Sequence, residues 1–111
     1  MPDDADLTQQ LRLLGDLRDL LERWLDLAKP GQRNVGQVQE LLLNIQKARN
    51  ELLEVSMTTA QFVVEQHVRN SQTLLGASLD VLRAITSPFS PLNNLMQEFL
   101  RRAEMLRGPH D

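Results

Sequence analysis

Apolar residues recur along the chain at the spacing of amphipathic helices, and glycines and prolines divide this pattern into three segments. The first segment, residues 7–29, carries a wide leucine-rich stripe and ends at the sequence Lys-Pro-Gly. Asp6, just before it, is the predicted N-cap. We expect this helix to pack in a bundle or between chains, through a face formed by Leu14, Leu17, Leu21 and Trp24.

The second segment begins after Asn34, another predicted N-cap, and contains no proline before Pro88. The pattern predicts one long helix over residues 34–86 and leaves open a break near residues 56–59, where two β-branched threonines lower the helix propensity. An unbroken helix of this length would measure roughly 75 Å, which exceeds the width of a small globular core. We therefore expect an elongated molecule whose apolar face a compact monomer cannot cover.

Two Ser-Pro pairs, at residues 87–88 and 90–91, interrupt the helical pattern. A residue before proline is pushed out of the helical region, whereas proline at the first helical position loses no hydrogen bond. The stripe that follows predicts a short helix over residues 91–107, closed by a Gly-Pro pair. The predicted fold is all-α: a single domain over residues 1–111, built as an elongated helical hairpin or bundle with a leucine-rich N-terminal helix, one long central helix and a short C-terminal helix.

The residue types present argue against catalysis. Cysteine is absent, and neither of the two histidines has a second histidine or clustered carboxylates nearby to complete a metal site. The sequence shows no serine in a nucleophile elbow, no glycine-rich phosphate loop and no carboxylate pair with a reason for a shifted pKa. We predict a protein that is not an enzyme and that uses no cofactor and no metal.

The charge pattern argues against nucleic acid as a partner. The net charge is -3, from 15 acidic and 12 basic residues, and no segment forms a basic stripe. The longest apolar runs fall far short of the about 20 residues that cross a bilayer. The first residues are acidic, whereas a secretory signal begins with basic residues. The prediction is a cytoplasmic protein with no membrane span and no bound nucleic acid.

The stretch from Val55 to Leu79 has an unusual polar face. Its only charged residues are Glu65 and Arg69, and its other polar residues are Ser, Thr, Gln, Asn and one His. A solvated helix face usually carries Glu and Lys. We therefore expect both sides of this helix to be able to contact a partner or an interface.

From Glu51 to Leu106 the sequence resembles the phasin family of granule-associated proteins. The resemblance lies in a long charge-poor helix rich in Ala, Ser, Thr and Gln, a Ser-Pro break, and the short helix after it. The matching positions around that break are Ser90, Pro91, Leu95, Gln97, Phe99, Leu100 and Arg101. The resemblance implies a structural protein that coats granules of polyhydroxyalkanoate, a water-insoluble polyester, and that contacts granule-associated enzymes.

Two functions remain open. In the first, amphipathic helices adsorb on the granule, since an apolar face gains about 25 cal/mol for each Å² removed from water, whichever apolar phase covers it. The predicted granule or partner surface consists of Val64, Val68, Leu75, Leu79, Leu82, Ile85, Phe89, Leu95 and Phe99. In the second, the chain is a helical protein–protein adaptor or oligomerisation scaffold with no granule role. Both predict homo-oligomers.

Overall fold

The computed structural model describes residues 4–55, 57 and 60–107, and these residues form four helices without a β-strand. The helices are α1 (Asp4–Leu27), α2 (Val35–Val55), α3 (Gln61–Ile85) and α4 (Asn93–Arg107). The prediction of an all-α fold is therefore confirmed. Within the described part of the chain, none of the four helices combines the length and the hydropathy that a bilayer-spanning helix requires.

The predicted central helix is two helices, α2 and α3. Ala60, immediately before α3, has an extended backbone with φ −78° and ψ 98°. The chain reverses at this point, because Glu51 of α2 lies beside His67 of α3, with 3.6 Å between Oε2 and Nδ1. Residues 34–86 therefore do not form one continuous helix: α2 ends at Val55 and α3 begins at Gln61, on either side of the position where the sequence left a break open.

The predicted helix boundaries agree in part with the structure. Asp6 lies inside α1, so it is not the N-cap of that helix. Asn34 directly precedes α2, and its carbonyl accepts the first helical hydrogen bond, from the N–H of Val38 at 2.9 Å. Asn34 has a left-handed φ of 72°, which asparagine adopts more readily than most residues. The predicted end of the last helix, at Gly108, lies outside the described residues.

The two Ser-Pro pairs form consecutive turns between α3 and α4. The Ser87 hydroxyl oxygen accepts a hydrogen bond from the N–H of Phe89 at 3.2 Å. The Ser90 hydroxyl oxygen likewise accepts one from the N–H of Leu92 at 3.1 Å. Because these bonds hold the chain in turns, α4 begins at Asn93, and the second proline lies before the helix instead of at its first position.

Helices α1, α2 and α3 run in alternating directions, and α4 packs on α1 and α3 to complete a compact globule, which we call the bundle. Arg49 of α2 lies beside Gly15 of α1, and the Ser71 hydroxyl of α3 donates to Gln10 Oε1 of α1 at 2.9 Å. Both α1 and α3 contact α2 and α4, whereas α2 and α4 do not contact each other through their described residues. The bundle measures 46 × 28 × 17 Å, so the chain is not the 75 Å rod that an unbroken helix would give.

Aliphatic side chains from all four helices fill one continuous core. The largest fully buried side chains are Phe99, Leu14, Leu17, Leu21, Ile45, Leu52, Leu75, Leu79, Leu82 and Met96. The predicted bundle face of α1 lies in this core, with Trp24 also buried beside its three leucines. A single chain thus covers most of the apolar face that runs along residues 34–86. It can do so because the chain turns between α2 and α3, so that these two helices pack together.

Substituting glycine by alanine should have opposite effects at Gly15 and Gly31. At Gly15, inside α1, an added Cβ would meet Arg49 Nε at 3.7 Å, an ordinary van der Waals contact. Alanine favours a helix over glycine by about 0.5–1 kcal/mol, so Gly15→Ala should raise the free energy of unfolding by about that amount. Urea denaturation followed by circular dichroism measures this change.

Gly31→Ala is the matched control. Gly31 has a left-handed φ of 78°, where a side chain costs about 1–2 kcal/mol, so this variant should be less stable than the parent. Shifts of the same sign at both positions would contradict the backbone described here.

Candidate functional surface

The predicted granule or partner surface lies mostly inside the closed bundle. Its buried members are Val68, Leu75, Leu79, Leu82, Ile85 and Phe99. Val64 is half-buried against the core, Leu95 is partly exposed, and Phe89 is 94% exposed. The sequence pattern therefore found the apolar stripe of α3 and α4, but these residues do not form one exposed face in the folded chain.

The helix α4 supplies part of the cover for α3, which also packs against α1 and α2. Its buried stripe consists of Leu92, Met96, Phe99, Leu100 and Ala103. These side chains belong to the same core as Leu79 of α3 and Leu17 of α1. At the start of α4, Met96 Sδ also accepts a weak hydrogen bond from the Thr86 hydroxyl at 3.6 Å. Burial of this stripe is the main force that holds α4 in place, since its apolar area is removed from water.

Two ion pairs connect α4 to its neighbours at the surface. Arg102 donates to Asp16 of α1, with 3.3 Å between Nη1 and Oδ2, and Arg83 of α3 donates to Glu104 of α4. All four side chains are close to half exposed, so each pair contributes only about 0–1 kcal/mol. The Arg102 guanidinium also lies 5.8 Å from the centre of the Phe99 ring. These contacts orient α4 more than they stabilise it.

The buried serines of α3 have hydrogen-bond partners within α3 or in α1. The Ser71 hydroxyl lies within hydrogen-bond distance of two acceptors, Gln10 Oε1 and the carbonyl of Val68, the latter at 2.8 Å, and its single proton can bond one of them at a time. The Ser78 hydroxyl donates to the carbonyl of Leu74 at 2.7 Å. Since buried polar groups need such partners, these side chains serve the packing of the bundle. The sequence pattern did not identify Gln10 as a buried residue.

Large apolar side chains are exposed at several places on the surface, and most of them were not among the predicted surface residues. They are Leu27, Leu43, Leu53, Met57, Phe62, Phe89, Leu95 and Met105. Leu53, Met57 and Phe62 flank the turn between α2 and α3, whereas Leu27 and Phe89 lie at the connections of the opposite end. A single exposed apolar side chain is ordinary, but a group of them marks a contact surface.

Open depressions occur on the surface between the helices. One lies between α3 and α4 and is lined by Arg83, Thr86, Gln97, Leu100, Arg101 and Glu104. A second lies over the first turns of α3, around His67. In the ranges that the structure describes, no group of three or more His, Cys, Asp or Glu residues is arranged to hold a metal ion.

No protein-family model matches the sequence, and neither the comparison with curated proteins nor that with solved structures found a match.

The two phenylalanines Phe99 and Phe89 should respond oppositely to the same substitution. Phe99→Ala removes a fully buried ring from the contact of α4 with the core and should lower the free energy of unfolding by about 3–5 kcal/mol. Phe89→Ala removes an exposed ring and should change it by less than about 0.5 kcal/mol. Urea denaturation of both variants tests this difference, and equal losses would show that α4 does not pack as described.

Proposed function

We propose that this chain is a non-catalytic, phasin-like structural protein that coats polyhydroxyalkanoate granules through amphipathic helices. The observation that carries the proposal is that the apolar stripe of α3 and α4 is continuous with the core, so it can be covered either by the chain itself or by a granule. In solution the stripe forms the core of the bundle, and at a granule it becomes the adsorbing face once α4 swings away. The closed bundle is therefore the soluble form of the coat.

The free energies of the closed bundle and of the chain adsorbed on a granule can be close, because adsorption replaces one apolar environment of the stripe by another. When α4 leaves, the apolar stripe of α3, which includes Leu75, Leu79 and Leu82, loses the part of its cover that α4 provided. The same side chains regain about 25 cal/mol for each Å² of apolar surface that enters the polyester. The backbone hydrogen bonds of each helix are internal to that helix, so they survive the transfer.

The contacts at α4 favour this helix as the one that moves. It is the shortest helix, it is joined to α3 by turns, and the ion pairs of Arg83 and Arg102 that connect it are exposed. After adsorption, the polar sides of the helices would face water. The net charge of -3 would then help to keep coated granules apart.

A second function is favoured by a different observation, the burial of the stripe in a well-formed core. In this case the chain is a helical protein–protein adaptor or oligomerisation scaffold that stays closed and binds through its exposed residues, such as Phe62 and Phe89. Homo-oligomers and a cytoplasmic location belong to both proposals. Granule-associated enzymes as partners belong to the first alone.

The two functions differ in whether α4 must leave the core, and a reversible cross-link tests this. Arg83→Cys with Glu104→Cys places one thiol on α3 and one on α4, at side chains that touch. The chain has no other cysteine, so a thiol-cleavable bis-methanethiosulfonate reagent joins only this pair. We expect saturable co-sedimentation with polyhydroxybutyrate particles before linking, at least a tenfold loss after linking, and recovery after reduction.

The matched control is Arg18→Cys with Glu22→Cys, a contacting pair within α1 that the same reagent joins without connecting two helices. Its binding should not change on linking. Undiminished binding with the α3–α4 link would contradict adsorption by opening. An unlinked protein that is helical by circular dichroism and does not bind would contradict the granule function and favour the adaptor.

A further inference from the structure

The end of the bundle at the α2–α3 turn combines exposed apolar side chains with negative charge, and we name it the acidic end. Leu53, Met57 and Phe62 are 42%, 88% and 76% exposed there. Residues 50–68 contain neither lysine nor arginine. The acidic residues of this range are Glu51, Glu54 and Glu65. Arg69 lies just beyond this range and lines one depression with Phe62 and Glu65, so the acidic end combines exposed apolar side chains with three carboxylates and one guanidinium and is negative on balance.

The opposite end consists of the α1–α2 and α3–α4 connections, and we name it the basic end. Leu27 and Phe89 are exposed there. Lys29 and Arg33, both exposed, outnumber the nearby Asp26, and the α3–α4 connection adds no charge. Because α2 and α3 each run between these two regions, the acidic and basic ends lie at opposite ends of both helices.

The exposed ring of Phe89 is displayed by an ordered turn. The N–H of Ser90 donates to the carbonyl of Ser87 at 3.0 Å, and prolines on both sides of Phe89 restrict the backbone. An apolar group that is already held in place loses little conformational entropy when a partner covers it. Phe89 is thus a suitable anchor for a protein contact.

We propose that copies of this chain associate end to end, with the acidic end of one copy seated on the basic end of the next. Opposite charges around two apolar patches favour this pairing, whereas two acidic ends would repel each other. The contact joins two different surfaces, so each pair keeps one unused acidic end and one unused basic end, and chains can grow. The bundle stays closed in this association, which therefore does not depend on granule binding.

The dimensions of the bundle limit how strongly two copies can associate end to end. A cross-section of 28 × 17 Å limits the contact to roughly 400–500 Å² per copy, compared with about 800 Å² per partner in a typical stable interface. Association should therefore be weak and visible only at high protein concentration. It should also weaken as salt screens the exposed charges.

Two matched variants test the proposal, each with one charge reversal and one exposed phenylalanine replaced by serine. Glu54→Lys with Phe62→Ser disables the acidic end, and Lys29→Glu with Phe89→Ser disables the basic end. In sedimentation velocity at low salt, up to about 1 mM protein, the parent should form growing oligomers. Each variant alone should remain monomeric. An equimolar mixture should form a one-to-one heterodimer and stop there, since each variant keeps the end that the other lacks.

A control variant, Glu40→Lys with Leu43→Ser, makes the same kinds of change at exposed positions on the side of α2 and should oligomerise like the parent. Formation of the heterodimer also shows that both end variants are folded. A parent that stays monomeric throughout, a mixture that stays monomeric, or a single end variant that still dimerises through its remaining end would each overturn the proposal.

Discussion

The burial of the apolar stripe of α4 against α1 and α3 is the contact that closes the core of the bundle. Phe99, at its centre, is fully buried, and the ion pairs around it are too exposed to hold the helix by themselves. Without this contact, the stripe of α3 around Leu79 and Leu82 would lose part of its cover within the chain. The closed bundle therefore requires that α3 end before the Ser-Pro turns and that α4 fold back over it.

The periodicity of the sequence predicted which side of each helix is apolar. It did not predict what covers that side in the folded chain. It located the face of α1 and the stripe of α3, but the spacing of apolar residues says which side of a helix is buried and not what buries it. The break after α2 was left open because a pair of threonines changes helix propensity by only a few tenths of a kcal/mol, which tertiary packing readily overrides. The exposed side chains of Met57 and Phe62 lie at a helix boundary, where helical periodicity gives no guidance.

A common physical origin links the two modes of interaction proposed for this chain. Apolar burial is non-directional, so the stripe of α3 and α4 can be satisfied either by the core or by a polymer surface. The exposed apolar residues at the two ends differ from this stripe, because they remain exposed in the closed bundle. The charges near them are negative at the acidic end and positive at the basic end. Contact between copies can therefore occur in the closed form, whereas granule adsorption uses the open form.

Native-state hydrogen exchange measured by NMR at low denaturant concentrations tests the role of α4 most directly. If α4 closes the core and can leave it as a unit, the backbone amides of Phe99 and Ala103 should share one opening free energy. That value should lie below the global free energy of unfolding that governs Leu17 of α1 and Ile45 of α2. If the amides of α4 exchanged only through global unfolding, together with those of α1 and α2, α4 would be an inseparable part of the core, which would contradict this account.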